Sequence, residues 1–124
     1  MVKTVVIVDD EPSVRYTVEQ GLESLDPEIN VVSVESGEKF FELLESNLIP
    51  DLILLDIMMP DMNGWEVQRR LNEKLEWRSI PIVFLTATGD ITSKKIGRMI
   101  SEDYIEKPFK ILELKQRIDT ILQT

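Results

Sequence analysis

The chain has 124 residues, of which 43% are hydrophobic and 30% are charged, and its net charge is −9. This length and composition predict one globular domain with a single hydrophobic core. The sequence contains neither Cys nor His, which excludes the common zinc sites, thiol catalysis and Ser-His-Asp hydrolysis. The negative charge argues against nucleic acid as the main ligand.

The apolar runs are short, for example residues 5–8 and 52–55, whereas roughly 20 apolar residues are needed to span a bilayer. The N-terminus lacks the hydrophobic region and cleavage site of a secretory signal. We therefore expect no membrane segment and a cytoplasmic location.

Charge is unevenly distributed along the chain. Residues 1–90 carry a net charge of −11, and residues 91–124 carry a net charge of +2. The basic side chains of the last quarter predict either a docking surface for an acidic partner or an ordinary solvated helical face. They are Lys94, Lys95, Arg98, Lys110, Lys115 and Arg117.

The first half of the chain predicts three strands and two helices. Residues 5–8 are a continuous β-branched run, typical of a strand buried on both faces, which ends at Asp9-Asp10. Apolar residues at helical spacing from position 14 to position 25, with Pro27 beyond them, predict a first helix. A strand over 31–34, a helix after Ser36-Gly37 and a strand over 52–55 follow.

The second half continues the alternation. Residues 59–64 predict a turn-rich loop, and apolar residues at positions 67, 71 and 75 predict a third helix. A fourth strand over 81–85 ends at Thr86, and a fifth around 104–105 ends near Lys107. Helices are predicted over 91–100 and 111–122. Five strands alternating with five helices predict an α/β fold with a doubly wound parallel sheet, covered by helices on both faces.

Polar residues follow four of the predicted strands. In an open parallel sheet, ligands bind beyond the carboxyl ends of the strands, so these side chains converge on one edge. Clustered carboxylates repel one another, and oxygen ligands favour Mg²⁺, for which Ca²⁺ or Mn²⁺ can substitute in vitro. A hydroxyl and an ammonium beside that cation suit a bound phosphoryl group. The residues concerned are Asp9, Asp10, Asp56, Thr86 and Lys107.

Four fragments at these strand ends strongly resemble the receiver domains of two-component response regulators, the CheY-like family. The resemblance covers essentially the whole chain and implies a flavodoxin-like (βα)5 fold with strand order 2-1-3-4-5. It also implies a single receiver domain over residues 1–124, with no output domain in this chain. The fragments are Ile7-Val8-Asp9-Asp10-Glu11-Pro12, the run from Pro50 to Pro60 with Asn63-Gly64, Phe84-Leu85-Thr86-Ala87, and Asp103-Tyr104-Ile105-Glu106-Lys107-Pro108-Phe109.

The resemblance implies that Asp56 accepts a phosphoryl group from a sensor histidine kinase or a phosphotransfer protein. It implies that Mg²⁺ is held by Asp9, Asp10, Asp56 and the backbone carbonyl of Met58. It also implies that Lys107 neutralises the charge of the phosphoryl group. Catalysis of such a transfer must come from in-line positioning and from this neutralisation of charge. The resemblance implies a phosphoacceptor and not a conventional enzyme, since a receiver domain catalyses its own phosphorylation and dephosphorylation and turns over no separate substrate.

The resemblance further implies a switch. Thr86 donates its hydroxyl to the phosphoryl group, and Tyr104 turns into the space that Thr86 vacates. The change is read by a downstream effector or output domain on the face formed by the fourth helix, fifth strand and fifth helix. A monomer that dimerises on phosphorylation is consistent with this scheme. The Lys107-Pro108 peptide resembles the cis peptide of the family.

Two other classes remain as alternatives. An aspartyl-phosphate phosphatase or phosphotransferase of the dehalogenase type is expected to carry a second acid two residues after the nucleophile, where this chain has Met58. A flavodoxin-like nucleotide or flavin binder needs a Gly, Ser and Thr loop after the first strand. The sequence Asp9-Asp10-Glu11 would instead repel phosphate unless a cation is bound.

Overall fold

The computed structural model describes residues 1–87 and 103–123. Their elements are β1 (Lys3–Val8), α1 (Pro12–Leu25), β2 (Ile29–Val34), α2 (Gly37–Glu45), β3 (Leu52–Asp56), α3 (Gly64–Asn72), β4 (Ile82–Ala87), β5 (Asp103–Lys107) and a C-terminal helix (Ile111–Leu122). The helix predicted over 91–100 lies outside the described residues, as do three of the basic residues singled out above, Lys94, Lys95 and Arg98.

The five strands form one parallel sheet in the order β2-β1-β3-β4-β5, which confirms the predicted topology. The register pairs Ile7 with Leu54, and Asp56 with Leu85. On the other side of β4, Ala87 pairs with Lys107. Because the strands are parallel and in this register, the carboxyl ends of β1, β3, β4 and β5 share one edge.

The three central strands are buried on both faces, as their continuous apolar runs predict. Successive side chains point to opposite faces and enter two separate clusters. On one face Ile7 and Leu54 pack with residues of α1 and the C-terminal helix, including Leu22 and Leu114. The other face packs against α2 and α3. This burial fixes the sheet, and therefore the positions at which its strands end.

Local capping explains where two helices begin. The Ser36 side chain accepts a hydrogen bond from the Lys39 N–H at the start of α2, and Asn63 accepts one from the Glu66 N–H at the start of α3. Pro12 opens α1, where its missing N–H costs no helical hydrogen bond. No helix in the described part of the chain is long and apolar enough to cross a bilayer.

The third helix is shorter than its periodicity predicts. It ends at Asn72, and Leu75, which continues the apolar spacing, lies in the following turns with 78% of its surface exposed. Trp77, in the same turns, is buried, and its ring lies 5.9 Å from that of Phe41. Trp77 therefore joins the core cluster on this face of the sheet, whereas Leu75 does not.

Candidate functional site

Three acidic side chains meet at the shared edge of the sheet. Asp9 follows β1 directly, Asp56 is the last residue of β3, and Glu11 immediately precedes α1. Asp9 is fully buried and Asp56 is 4% exposed. Carboxylate oxygens of the three residues lie within 4.8 Å of one another. The structure thus brings two predicted ligands together and adds Glu11, to which the sequence interpretation assigned no role.

Lys107, the last residue of β5, supplies the positive charge of the site. Its Nζ atom lies 2.8 Å from Asp9 Oδ2, 3.0 Å from Glu11 Oε1 and 3.5 Å from Asp56 Oδ1. The peptide between Lys107 and Pro108 is cis, as the resemblance implies. Among the described residues, one ammonium faces three carboxylates, so this part of the site has an excess of negative charge whenever they are ionised.

Backbone contacts hold the two buried carboxylates in place. The Glu11 N–H donates to Asp9 Oδ1 at 2.9 Å, and Arg15 donates to the Asp9 carbonyl at 2.7 Å. The Met58 N–H donates to Asp56 Oδ1 at 3.2 Å. Gly64, at the start of α3, packs so closely that a Cβ there would lie 2.7 Å from the Asp56 carbonyl oxygen. The contacts of Asp9 hold the end of β1, and those of Asp56 leave the end of β3 little freedom to shift.

The environment of Asp56 opposes its ionisation. Burial is the largest cause and raises the pKa of Asp56 to about 7, and the neighbouring Asp9 charge and a hydrogen bond with the Asp10 carboxyl act in the same direction. Lys107 and the Met58 N–H oppose this rise only in part. Burial also lowers the pKa of Lys107, but Asp9, Asp56 and Glu11 together outweigh it, so that pKa lies above its usual 10.5. Lys107 is therefore cationic at neutral pH.

The donor set fits a hard divalent cation. Asp9 Oδ2 is buried and accepts no hydrogen bond of normal geometry from the described residues. Its 2.8 Å approach to Lys107 Nζ is an ion pair with poor direction. Oxygen ligands in a negatively charged, partly open site are what Mg²⁺ prefers.

The remaining predicted site residues occupy different positions around the cluster. Asp10 is exposed and lies outside the three-carboxylate group, although its carboxyl contacts Asp56. Met58 has an exposed side chain beside Asp56. Thr86 is buried near the end of β4, and its hydroxyl donates to the Ala87 carbonyl at 3.3 Å. Tyr104 is half-buried opposite Phe84 in the sheet register.

A cleft of about 530 Å³ opens onto the cluster, and periodicity in the sequence gave no sign of it. Glu11, Asp56 and Lys107 form its charged end, whereas Val14 and Phe109 belong to its apolar side. The cleft makes the Asp56 region reachable from solvent although the residue itself is almost fully buried. Its other lining residues are Ser13, Thr17, Met58, Ala87 and Pro108.

The structure reduces the case for a basic docking surface in the last quarter of the chain. Lys115 pairs with Asp119 at 2.6 Å and with Asp26 at 3.5 Å. Arg117 pairs with Asp103 at 2.6 Å. Two of the three described basic residues of that group therefore have acidic partners within the domain.

Comparison with known proteins gives consistent matches. The sequence model of the response regulator receiver domain matches residues 5–119. The phosphate regulon transcriptional regulatory protein PhoB of Pseudomonas aeruginosa is 37% identical over 122 residues, which are 98% of this chain and 52% of that protein. The chain spans about half the length of the curated regulators it matches.

Solved structures show the same similarity. The crystal structure of a response regulator receiver protein from Burkholderia phymatum superposes with a TM-score of 0.85 at 31% identity, over 98% of this chain and 95% of that one. The BeF3-activated DrrB receiver domain superposes with a TM-score of 0.84 at 26% identity, over all of both chains.

Proposed function

Because the chain belongs to the response regulator receiver family, we propose that Asp56 is the residue that accepts the phosphoryl group. The chain is a receiver domain of a two-component phosphorelay, and it is a phosphoacceptor rather than an enzyme with a separate substrate. The observation that carries the assignment to Asp56 is its place at the end of β3. There it lines the cleft, 3.5 Å from Lys107 Nζ and close to two further carboxylates.

In the proposed step, an Asp56 carboxylate oxygen forms a bond to phosphorus. The P–N bond of a phosphohistidine on the donor breaks, and its electron pair stays on the imidazole nitrogen. A carboxylate is a weak nucleophile, so the site must act by in-line positioning and by neutralising the charge of the transferring group. The contacts of Asp56 with Met58 and Gly64 provide the positioning. Lys107 provides a positive charge at the mouth of the site.

We propose that Asp9, Asp10, Asp56 and the Met58 carbonyl hold Mg²⁺. When bound, Mg²⁺ supplies positive charge that offsets the carboxylates and the transferring phosphoryl oxygens. The buried Asp9 Oδ2 accepts no directed hydrogen bond from the part of the chain that the structure describes, which supports a cation at this place. Asp10, although exposed, contacts Asp56 and could contribute an oxygen from the solvent side.

Receiver domains partner with histidine kinases, and we propose a sensor histidine kinase or a phosphotransfer protein as the donor for this chain. For the output we propose that Thr86 and Tyr104 change position on phosphorylation. Thr86 is buried with its hydroxyl bonded only weakly, at 3.3 Å. Tyr104 lies on the neighbouring strand β5, opposite Phe84 and two residues before Glu106, which is the residue that pairs with Thr86. The altered face would then engage an effector or output domain.

The test is intact-mass spectrometry after incubation with acetyl phosphate or phosphoramidate, with and without Mg²⁺. The wild-type chain should gain one phosphoryl group only with Mg²⁺, and Asp56→Asn should gain none. Asp61→Asn is the matched control, because Asp61 is exposed and has a φ of 68°, a left-handed conformation that Asn tolerates well. Labelling of Asp56→Asn at the wild-type level would refute Asp56 as the acceptor.

A further inference from the structure

The cleft that opens onto Asp56 is larger than a phosphoryl group alone requires. Its volume is about 530 Å³, which is within the range of pockets that hold whole small molecules. Asp56 and Lys107 lie at its charged end, whereas Val14 and Phe109 lie on its apolar side. Part of the cleft is therefore left for the group that carries the phosphoryl group to the site.

The direction of the proposed transfer decides where that carrier group lies. In an in-line displacement, the leaving group departs on the side of the phosphorus atom opposite the attacking oxygen. Asp56 is only 4% exposed, and in the described structure the cleft connects it to solvent. The leaving group of a donor must therefore lie in the cleft, further from Asp56 than the phosphorus atom does.

Two side chains from different elements form the apolar side of the cleft. Val14 belongs to the first turn of α1, and Phe109 follows β5 by two residues. Both are half-buried and pack against the core cluster that contains Leu22 and Leu114. The core holds these two side chains in place while they line the cleft. A flat apolar group in the cleft would remove their surface from water, which is favourable.

The charges of the cleft disfavour a leaving group that is an anion. Among the described residues that line the cleft, Lys107 is the one cation, and it lies 3.0 Å from Glu11 and 3.5 Å from Asp56 at the charged end. An anion such as acetate beside Val14 and Phe109 would lose hydration without gaining an opposite charge there. A neutral aromatic ring would lose far less hydration at the same place.

We infer that Val14 and Phe109 are specificity-determining residues, which favour phosphoryl donors whose leaving group is a neutral aromatic ring. The imidazole of a phosphohistidine is such a ring. In the transfer, an Asp56 oxygen bonds to phosphorus, the P–N bond breaks and its electron pair stays on the ring nitrogen. When the other ring nitrogen carries a proton, the ring leaves as neutral imidazole. This inference rests on the proposed function and deepens it, since it names the donor class that the cleft prefers.

The test compares N-phosphorylimidazole with phosphoramidate, a donor that has no ring, at saturating Mg²⁺. Intact-mass spectrometry follows the formation of the phosphoryl adduct with each donor, and the readout is the ratio of the two rate constants. The ratio removes any loss that both donors share, such as a small change in the fold. Phe109→Ala should lower this ratio by about three- to tenfold, the range for losing a contact between two aromatic rings.

Acetyl phosphate, which releases acetate, tests the argument about the leaving group. Acetate has no ring to pack against Phe109, so the ratio of its rate constant to that of phosphoramidate should stay within twofold of wild type in Phe109→Ala. A fall in this ratio as large as that for N-phosphorylimidazole would show that Phe109 acts on every larger donor. That result would overturn the inference.

A second variant keeps the inference testable if Phe109→Ala does not fold. Val14→Thr keeps the size of the side chain and adds a hydroxyl on the apolar side, which should lower the ratio for N-phosphorylimidazole by about twofold. Ile121→Ala is the matched control, because Ile121 is also half-buried against the same core cluster but is not among the residues that line the cleft. Its ratio should equal that of wild type. An equal fall in Ile121→Ala contradicts the inference.

Failure of the inference is separable from failure of the proposed function. A wild-type chain that gains no phosphoryl group from any of the three donors would refute both. Labelling of Asp56→Asn at the wild-type level would refute the acceptor, and with it the in-line argument for the cleft. Adducts on Asp56 from all three donors, with the same ratios in wild type, Phe109→Ala and Val14→Thr, would refute the inference alone.

Discussion

Replacing Asp56 by Asn should make the chain more stable at pH 8 when no divalent cation is present. Burial and the Asp9 charge raise the pKa of Asp56 from 3.8 to about 7, so the folded state prefers the protonated carboxyl. The unfolded chain releases that proton near pH 3.8. The folded state therefore binds more protons between these values, and stability falls as the pH rises through this window.

The size of the effect follows from the shift. About three pKa units correspond to about 4 kcal/mol at a pH above both values. Water reaches the site through the cleft and screens the charges, so we expect about 2 kcal/mol. The attraction of Lys107 lowers the pKa of Asp56 and is already included in the value of about 7. For a chain of 124 residues, an unfolding entropy of about 2.1 cal/mol/K per residue converts this to about 8 °C in Tm.

The assay is thermal unfolding by circular dichroism between pH 4 and pH 8 in the presence of a chelator. The difference in Tm between Asp56→Asn and wild type should be small at pH 4 and should grow to its full size by pH 8. Saturating Mg²⁺ should reduce it, because a bound cation stabilises the ionised carboxylate. Parallel pH profiles for the two proteins, or a variant that is less stable at pH 8, would refute the reasoning.

Two further predictions concern the cation and the end of β3. Mg²⁺ at about 100 times its dissociation constant should stabilise the wild-type chain by about 2.7 kcal/mol, and Asp9→Asn should lose most of that gain in a melting experiment. An unchanged wild-type Tm would contradict the cation site. Gly64→Ala should destabilise the chain by about 1–3 kcal/mol in urea unfolding, because its Cβ would lie 2.7 Å from the Asp56 carbonyl oxygen. In Gly21→Ala the nearest atoms to the new Cβ belong to the Ile111 side chain and not to backbone, so a loss as large as that of Gly64→Ala would show that contact with backbone is not the specific cause.

Most of the fold follows from local patterns. Residues 5–8 and 52–55 are apolar at every position, and only a strand buried on both faces uses all of them. The helix after β3 is shorter than its apolar spacing predicts. Its apolar spacing runs on to Leu75, but the helix ends at Asn72, Leu75 is exposed, and Trp77 is the residue of the following turns that is buried in the core. Periodicity identifies the apolar residues that a helix could bury, whereas tertiary packing determines which of them are buried in the core.

The site divides in the same way. Asp9, Asp56 and Lys107 could be placed together in advance, since each ends a predicted parallel strand and those ends share an edge. Glu11 could have been suspected only from its position beside Asp9-Asp10. Its pairing with Lys107 joins residues 96 positions apart. No local pattern contains a contact of that kind.

The sequence by itself thus determined the alternation of strands and helices, the parallel sheet and the carboxylates at one of its edges, because all three depend on periodicity and on the direction of the strands. The tertiary structure decided the distances among the charges. Within residues 1–87 and 103–123, it placed one ammonium against three carboxylates, left a buried Asp9 oxygen without a directed hydrogen bond and raised the pKa of Asp56 to about 7. Electrostatic energies change steeply with separation and burial, and both are set only when distant segments pack together.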